Sequence, residues 1–461
     1  MTTMNSDVVA GLRASLRGPV LQPGDADYDD ARRVWNAMID RRPALIARCA
    51  GTADVLAALV FARRHGLPLA VRGGGHNIAG SAVCDDGLVI DLSGMRGVRV
   101  DPDARLAWVD GGALLADVDH ETQAFGLAVP LGINSTTGVA GLALGGGFGW
   151  LSRMHGLTVD NLVGAEVVTA DGRRRRAGPD EEADLFWALR GGGGNFGVVT
   201  GFEFALHPVG PDVTAGLLVF PQAEGNAVLR RYRDLVDTLP DEVAIWAVLR
   251  KAPPLPFLAP EVHGTDVVAL AVFSPLAPAA VEPVVARACG VGRLLGEHVG
   301  AMPYVAWQKI FDPLLAPGAR NYWKSHNFTR LSDAAIDVVL RYAAAAPTAQ
   351  CEIFLGLIGG RANAPAPDAT AYPHRDILFA MNVHGRWTEA ADDARCMAWA
   401  REFFAAAAPH AAGSVYVNFL TQDEQARTGA AYGANHARLA QVKRRYDPDN
   451  LFRFNHNIAP A

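Results

Sequence analysis

The sequence predicts an α+β fold of two domains, and three observations support this. At 461 residues, the chain exceeds the size at which a single hydrophobic core stops growing. Three glycine-rich segments, each next to a predicted strand, lie within the first 205 residues. Beyond Pro208 the glycine runs end, and strands with alternating faces are interleaved with alanine-rich helices, as in an antiparallel sheet with covering helices.

The domain boundaries follow from this change of composition. We predict a first domain over residues 1–205 and an antiparallel-sheet domain over residues 206–414. The last segment, residues 415–461, is again polar and aromatic, and we expect it to return to the first domain. No internal repeat or low-complexity tract interrupts this order.

The first domain should begin with a strand, a helix and a second strand, after a helical and irregular lead-in over residues 7–40. The apolar run 44–49 predicts a strand. Thr52 can begin a helix that Gly66 and Pro68 end, and the run 69–71 predicts the next strand. Further along, apolar periodicity predicts strands over 88–92, 106–109, 165–169 and 198–204, and helices over 113–125 and 184–190.

In the second domain, alanine-rich helices are predicted over residues 334–346 and 390–408. Alternation in the run Val415-Tyr416-Val417-Asn418-Phe419 predicts a strand, with Tyr416 and Asn418 on one face and Phe419 on the other. A helix through residues 443–445 should follow it.

Composition and charge exclude some functions. The formal net charge is −6, which argues against a nucleic acid or an anionic membrane as partner, since both require a clustered positive field. The one dense basic run, Arg173 to Arg176, lies beside acidic residues and predicts a solvated hairpin turn.

The cysteines and the N-terminal segment indicate where the chain works. Five scattered cysteines without a Cys-x-x-Cys pair are typical of buried thiols in a reducing compartment. The histidines lack metal-ligand spacing, so we predict no metal site. No apolar stretch has the length of a signal peptide core or a membrane span, so we expect a cytoplasmic protein.

The glycine loops carry the main functional signal. Glycine lets backbone amides approach a bound group closely, and three such loops together suggest one large polyanionic ligand. In the first loop, Arg72 adds a positive charge, and His76 offers a ring nitrogen as a base, a metal ligand or a nucleophile. The string Gly192-x-Gly194-x-x-Gly197 matches the dinucleotide fingerprint, but a helix precedes it and a strand follows it, so a Rossmann NAD site is disfavoured.

Four motifs resemble the berberine bridge enzyme-like FAD-linked oxidases, of the vanillyl-alcohol oxidase group. They are Arg72-Gly-Gly-Gly-His76, the glycine-rich run 138–147, the run 190–197, and residues 446–458. The resemblance spans nearly the whole chain. It implies the two-domain FAD-binding fold of that group, with an antiparallel-sheet substrate domain.

The resemblance also implies how the cofactor is held. In the family, the histidine that matches His76 is bonded to the 8α-methyl group of FAD. Many relatives carry a second link through a cysteine, but Asn134 stands at that position here, so a single covalent bond is expected. Thr137 falls near the position that governs the approach of oxygen, where many relatives have a small aliphatic residue.

The full set of expected FAD-binding residues follows the four motifs. They are Arg72, Gly73, Gly74, Gly75, His76, Asn77, Gly80, Asn134, Thr136, Thr137, Gly138, Gly141, Gly145, Gly146, Asn195, Gly197, Val198, Val199, Asn418, Asn455 and Asn457.

Three residues are candidates for the chemistry on the substrate. The family's tyrosine base commonly follows the asparagine, where Phe419 stands here, so Tyr416 is a possible substitute, with packing an equal alternative. Glu352 faces away from its apolar strand neighbours and is a candidate base or substrate anchor. Tyr322 is a third candidate, and alternation places it on one strand face with Lys324. Asn382 and His384 share a strand face in the same way. For all four residues, a structural role is the more common alternative.

The resemblance implies an oxidase that takes hydride from an alcohol, an amine or a phenolic small molecule and passes the electrons to molecular oxygen. A dehydrogenase of the same fold with another acceptor, and a flavin-loaded protein that binds a ligand without turnover, remain alternatives. Sugars, alkaloid-like amines and alcohols of secondary metabolism are all open as substrates. The sequence leaves the oligomeric state undetermined.

Overall fold

The computed structural model describes residues 6–461. In this range the chain forms eighteen strands: β1 Val20–Leu21, β2 Leu45–Arg48, β3 Leu69–Arg72, β4 Leu88–Asp91, β5 Val98–Asp101, β6 Leu106–Asp110, β7 Leu127–Ala128, β8 Leu162–Val168, β9 Arg174–Ala177, β10 Val198–Ala205, β11 His207–Pro208, β12 Asp212–Pro221, β13 Ala244–Lys251, β14 Asp266–Ser274, β15 Gly296–Pro303, β16 Arg320–Phe328, β17 Glu352–Leu357 and β18 Phe379–Trp387.

The same part of the chain forms fourteen α-helices: α1 Ser6–Ser15, α2 Tyr28–Arg32, α3 Thr52–Arg64, α4 Leu115–Gln123, α5 Val139–Leu144, α6 Ser152–His155, α7 Ala183–Leu189, α8 Gly225–Val236, α9 Pro278–Cys289, α10 Tyr304–Gln308, α11 Asp333–Ala344, α12 Asp393–Ala407, α13 Thr428–Tyr432 and α14 His436–Tyr446. No helix of residues 6–461 combines the length and the apolar character needed to cross a bilayer.

Two small sheets carry the glycine loops. The first has the order β1-β2-β4-β3, and β2, β4 and β3 are parallel, with α3 connecting β2 to β3. The predicted strand, helix, strand unit is therefore confirmed. The second sheet is antiparallel and has the order β5-β6-β10-β8-β9. The first glycine loop leaves β3, and the third glycine loop leads into β10.

The large sheet is antiparallel throughout, as predicted, and has seven strands in the order β15-β12-β14-β13-β17-β18-β16. Helices α8, α9, α11 and α12 pack against it. Its alternating residues place one set of side chains among these helices and the other set towards the glycine loops. The predicted helices 334–346 and 390–408 are α11 and α12, with α12 beginning three residues later.

One local prediction is wrong, and another is confirmed only in part. The run 415–419 is not a strand, because residues Val417–Phe419 form a single 3-10 turn without a ladder partner. The hairpin predicted at the basic run is present, since β8 and β9 pair antiparallel and residues 169–173 connect them, but most of the arginines are not in its turn. They lie in the edge strand β9, where acidic neighbours pair with them: Glu166 with Arg174, Asp171 and Glu182 with Arg175, and Glu203 with Arg176.

A buried ion pair ties the C-terminal segment to the third glycine loop. Lys443 and Asp447 are fully buried, with 2.7 Å between Nζ and the carboxylate. The same ammonium group donates to the carbonyl oxygens of Asn195, at 2.8 Å, and Phe452, at 2.9 Å. Its three protons are thereby all used, and the segment that follows α14 is held against the loop.

Removing one partner of this pair should destabilise the protein strongly. In Asp447→Ala, the Lys443 charge stays buried without a counter-ion, and we expect the free energy of unfolding to fall by about 3–5 kcal/mol. Urea unfolding followed by circular dichroism measures this. The matched control is Asp184→Ala, which removes the exposed pair with Arg438 and should cost less than about 1 kcal/mol. Equal effects of the two substitutions would contradict the role given to the buried pair.

Candidate functional site

One long cavity lies between the glycine loops and the large sheet. Its floor comes from the three loops, through Gly73–Asn77, residues 132–144 and residues 193–199. Its roof comes from the inward faces of β12, β14, β13, β17 and β18, and residues 416–419 close one side. All three glycine-rich segments therefore meet at one site, as the sequence analysis expected.

Backbone contact fixes the first loop against the second. A Cβ atom added to Gly74 would lie 2.4 Å from the amide nitrogen of Gly138, and one added to Gly138 would lie 2.3 Å from that of Gly74. Gly75 adopts a φ of +68°, which residues with a side chain rarely tolerate. Gly74 and Gly138 are required by the close approach of two chain segments, and Gly75 by its backbone conformation; His76 follows directly.

His76 lies at the wall of the cavity with its ring stacked on Trp35. The ring centroids are 4.3 Å apart, and the planes are inclined by 22°. Burial lowers the pKa of His76 to about 4, so the imidazole is neutral at physiological pH. Its Nε2 atom is buried and has no hydrogen-bond partner. A neutral ring with a free nitrogen, held in one orientation, is suited to nucleophilic attack or to binding a polar group.

Trp35 is a residue that the sequence analysis missed. Its amide donates to the carbonyl oxygen of Gly75 at 3.0 Å, and its indole Nε1 donates to that of Leu315 at 2.7 Å. The guanidinium of Arg386 lies 5.4 Å from its ring centroid, on the large sheet. Trp35 thus connects the histidine loop with the large sheet. Because Trp35 lies in an irregular segment, no hydrophobic periodicity in the sequence indicates this role.

Several buried polar atoms around the cavity lack a partner in the protein. They include His76 Nε2, Asn134 Nδ2, Asn455 Oδ1 and both ring nitrogens of His456. Added Cβ atoms at Gly141 and Gly194, which also line the cavity, would meet no protein atom within 4 Å. Buried polar groups normally have partners, so these atoms and this open space indicate a large polar ligand. The residues present therefore fit a dinucleotide cofactor.

Most of the expected cofactor residues line this cavity. They are Gly73, Gly74, Gly75, His76, Asn77, Asn134, Thr137, Gly138, Gly141, Asn195, Gly197, Val199, Asn418 and Asn455. The side chains of Asn195 and Asn455 also bind their own neighbourhood, since each amide donates to a carbonyl oxygen of the third loop.

Seven expected cofactor residues do not line the cavity. The guanidinium of Arg72 turns away and donates to the carbonyl oxygen of Ala31. Thr136 donates its hydroxyl to Asn134 Oδ1 at 2.6 Å. Gly80 packs on Ile39, and Gly145 and Gly146 leave room for the side chains of Asn418 and Tyr372. Val198 lies in the hydrophobic core. Asn457 Oδ1 is buried without a partner.

Tyr416 and Asn418 meet at the side of the cavity, although not on a strand. The Tyr416 hydroxyl oxygen accepts from the amide of Gly147 at 3.0 Å and from Asn418 Nδ2 at 2.8 Å. Burial raises the pKa of Tyr416 to about 12, so the hydroxyl keeps its proton at neutral pH. With both acceptor positions used, this hydroxyl is a donor towards the cavity.

Glu352 lies on the cavity roof between two nitrogen donors. Its carboxylate accepts from Arg250 Nη1 at 2.6 Å and lies 3.1 Å from His384 Nδ1. Burial alone would raise the pKa of Glu352, but Arg250 and then His384 outweigh it and lower the pKa to about 2. An ionised carboxylate with so low a pKa is an acceptor of hydrogen bonds, and it is a weak proton acceptor.

Tyr322 lies outside the cavity. Its strand neighbour Trp323 faces the cavity, so Tyr322 and Lys324 point to the other face of β16. The Tyr322 hydroxyl donates to Asp423 and accepts from Arg401 Nε at 2.8 Å. The geometry therefore separates Tyr322 from the other candidates, and the predicted grouping of Tyr322 with Lys324 is confirmed.

Fold and cavity together define a class of protein in which glycine loops and an antiparallel sheet enclose one site for a dinucleotide cofactor. The FAD binding domain family matches residues 43–178, and the berberine and berberine-like family matches residues 415–459. An FAD-linked oxidoreductase from Dictyostelium discoideum is 31% identical over 452 residues, which cover 97% of this chain and 95% of the relative. The chain belongs to the berberine bridge enzyme-like family of FAD-linked oxidoreductases.

Two further comparisons, one of sequence and one of structure, carry the same named activity. The (R)-6-hydroxynicotine oxidase from Paenarthrobacter nicotinovorans is 30% identical over 466 residues, which cover 97% of both chains. The crystal structure of 6-hydroxy-D-nicotine oxidase from Arthrobacter nicotinovorans superposes with a TM-score of 0.88 at 28% identity, and covers 97% of this chain and 99% of that one. The predicted fold and family are confirmed, and the chain is an FAD-dependent enzyme.

The low pKa of Glu352 predicts how this residue affects stability. Because the pKa falls from 4.5 to about 2 on folding, the ion pair should stabilise the protein fully above pH 4.5 and progressively less as the pH falls towards 2. The difference in the free energy of unfolding between wild type and Glu352→Gln should therefore be constant from pH 7 to 5 and shrink between pH 4.5 and 3. Urea unfolding at each pH measures it, and a difference independent of pH would refute the assignment.

Proposed function

We propose that this protein is an FAD-linked oxidase that takes hydride from an alcohol, amine or phenolic small molecule and is reoxidised by molecular oxygen. The observation that carries the proposal is the neutral, stacked imidazole of His76, with an unpartnered nitrogen, on one wall of a cavity whose roof holds Glu352. FAD, when bound, supplies the acceptor for two electrons and one proton. The relatives named as oxidases support this reaction class.

We further propose one covalent link to FAD, through His76. A rigid loop holds the imidazole in place before the bond forms, and its low pKa keeps the nucleophilic lone pair free of a proton. All five cysteines lie in the described part of the chain, and none lines the cavity. Asn134, at the position of the second link in many relatives, binds Thr136 through its oxygen and leaves its amide nitrogen free for a hydrogen bond.

The domain assignment follows from the same cavity. Residues 1–205 and 415–461 would hold the cofactor, and residues 206–414 would cover it and bind the substrate. The contacts of Lys443 with Asn195 and of Asn418 with the carbonyl oxygen of Leu142 support placing the C-terminal segment with the cofactor loops.

Three residues would orient the substrate. Glu352 accepts a hydrogen bond from the hydroxyl or amine group that becomes oxidised, because its carboxylate is ionised and faces the cavity. Tyr416 donates a hydrogen bond from the side, and Asn418 fixes the orientation of its hydroxyl group. Since the pKa of Glu352 is near 2 and that of Tyr416 near 12, the main role of both groups at neutral pH would be to position the substrate. When a hydroxyl group is oxidised, its proton would leave along the hydrogen bond to the Glu352 carboxylate and pass from there to water.

Anaerobic mixing followed by air tests the reaction class. Candidate alcohols, amines and phenols are added to the FAD-loaded protein without oxygen, and the flavin absorbance is followed. We expect bleaching by at least one compound and rapid recovery of the absorbance when air is admitted. Bleaching with slow recovery would identify a dehydrogenase with another acceptor. Spectral shifts without bleaching across the whole set would favour ligand binding without turnover.

Trp35 should determine how much FAD becomes covalently bound. In Trp35→Ala, His76 loses its stacking partner, and we expect the covalently linked fraction, measured by intact mass, to fall at least tenfold. Trp35→Phe keeps an aromatic face and should retain most of the linkage. His76→Ala gives the zero level. Exposed Phe125, mutated to Ala, is the matched control for loss of an aromatic ring and should leave the fraction unchanged. Full linkage in Trp35→Ala would exclude a positioning role.

A further inference from the structure

A buried carboxyl group and a buried amide group meet outside the cofactor cavity, where two distant parts of the chain touch. Asp119 lies on α4 and Gln308 is the last residue of α10, and both side chains are buried. Gln308 Nε2 donates to Asp119 Oδ2 at 3.2 Å and to the carbonyl oxygen of Gly132 at 3.2 Å. The pair therefore connects α4, α10 and the second glycine loop.

These two contacts fix the orientation of the amide and reveal two oxygens without a donor. The carbonyl oxygen of Gly132 can only accept, so the Gln308 atom beside it must be the nitrogen. Gln308 Oε1 is buried and has no hydrogen-bond partner. Asp119 Oδ1 is buried without a partner as well. Each planar group thus uses one polar atom in the shared contact and leaves an acceptor oxygen unsatisfied.

One proton would satisfy both oxygens. An ionised Asp119 would place a negative charge in the interior, and the cation that acts on it, Lys309, is exposed to solvent. An unpaired buried charge and two buried acceptors without donors are costly. A proton on Asp119 Oδ1 removes the charge and gives Gln308 Oε1 a donor. The carboxylic acid and the amide then share two hydrogen bonds.

The surroundings favour the neutral acid. Burial raises the pKa of Asp119 to about 7, and the hydrogen bond from Gln308 and the charge of Lys309 oppose this only in part. Tyr304, also on α10, is neutral, because burial raises its pKa well above the ordinary value.

The charged groups on the other elements around Asp119 have partners of their own. Strands β5 and β7 pack against α4, and β7 contains no ionisable residue. The charged groups of α4 and β5 are engaged as follows: Arg99 with Trp108, Asp101 with the amide of Ala104, Asp117 with Arg96, and exposed His120 with Glu121.

We propose that Asp119 is a positioning residue that keeps a proton on Oδ1, donates it to Gln308 Oε1, and so holds the Gln308 amide in the orientation that binds Gly132. Gly132, Asn134 and Thr137 line the cofactor cavity, so the proton would position one of its walls. Loss of the proton places two bare acceptor oxygens together, and the carbonyl oxygen of Gly132 then loses its donor. The proposal does not depend on the reaction, and neither of its tests involves turnover.

Asp119→Asn separates the proton from the shape of the side chain. The new amide can donate to Gln308 Oε1 and accept from Gln308 Nε2, so both hydrogen bonds remain but nothing titrates. Because the pKa of Asp119 rises from 3.8 to about 7 on folding, its protonated form stabilises wild type fully below pH 3.8, and this stabilisation is lost as the pH rises to about 7. The unfolding equilibrium constant of wild type, relative to that of Asp119→Asn, should rise about tenfold for each pH unit from 5 to 7 and then level off.

Urea unfolding at each pH measures this ratio. Glu121→Gln is the matched control, because it makes the same change at an exposed carboxyl group of α4, and its ratio to wild type should stay constant from pH 5 to 9. A ratio of wild type to Asp119→Asn that does not change with pH would overturn the assignment of the proton.

Hydrogen exchange at the amides of residues 133–137, in the FAD-loaded protein, tests the positioning role. At pH 5.5 wild type and Asp119→Asn should be equally protected. At pH 8.5 we expect wild type to exchange at least about fivefold faster than Asp119→Asn, since Gly132 has lost its donor. Comparing the two proteins at one pH cancels the chemical effect of pH on exchange. Glu121→Gln should match wild type at both pH values. Equal protection of wild type and Asp119→Asn at pH 8.5 would refute the positioning role.

Discussion

The backbone contact between Gly74 and Gly138 is the constraint on which the site depends. It brings the loop after β3 against the start of α5 so closely that neither position has room for a side chain. One loop carries His76, and the other carries Asn134 and Thr137, so a single contact sets the floor of the cavity. The third loop is fixed separately, by the buried ammonium group of Lys443.

A chain of ring contacts connects this floor with the roof. His76 stacks on Trp35, which meets Trp323 edge to face at 5.4 Å, and Trp323 stacks on His384 at 4.5 Å. His384 in turn binds Glu352. The orientation of the histidine and the position of the carboxylate are therefore set by one packed assembly, in which the rings exclude water and keep the imidazole neutral. Covalent attachment and substrate recognition would then depend on the same contacts.

The sequence pattern along the chain predicts most of the helices and strands. The features that it does not predict depend on contacts between residues far apart in the sequence. The strand, helix, strand unit before His76 and the antiparallel sheet followed from periodicity and glycine placement. The alternating pattern over residues 415–419 is too short to distinguish a strand from a turn. Tyr416 and Asn418 do lie together, as predicted, but they do so at a 3-10 turn and not on one face of a strand. Of the two partners of Glu352, Arg250 is 102 residues away and His384 lies on a third strand, and no spacing in the sequence indicates either contact. The resemblance to a family identified the cofactor, and it also placed Arg72 among the FAD-binding residues. In the structure, tertiary packing turns the Arg72 guanidinium away to the carbonyl oxygen of Ala31.

The most direct test of the account is a crystal structure of the FAD-saturated protein, in which the separation between the 8α carbon of the flavin and the nearest nitrogen of His76 is measured. We expect a bonded distance, with the flavin ring between the His76 wall and the Glu352 roof and no second bond at Asn134. A flavin ring in the cavity without a bond to His76, or a ring bound outside the space between His76 and Glu352, would contradict it.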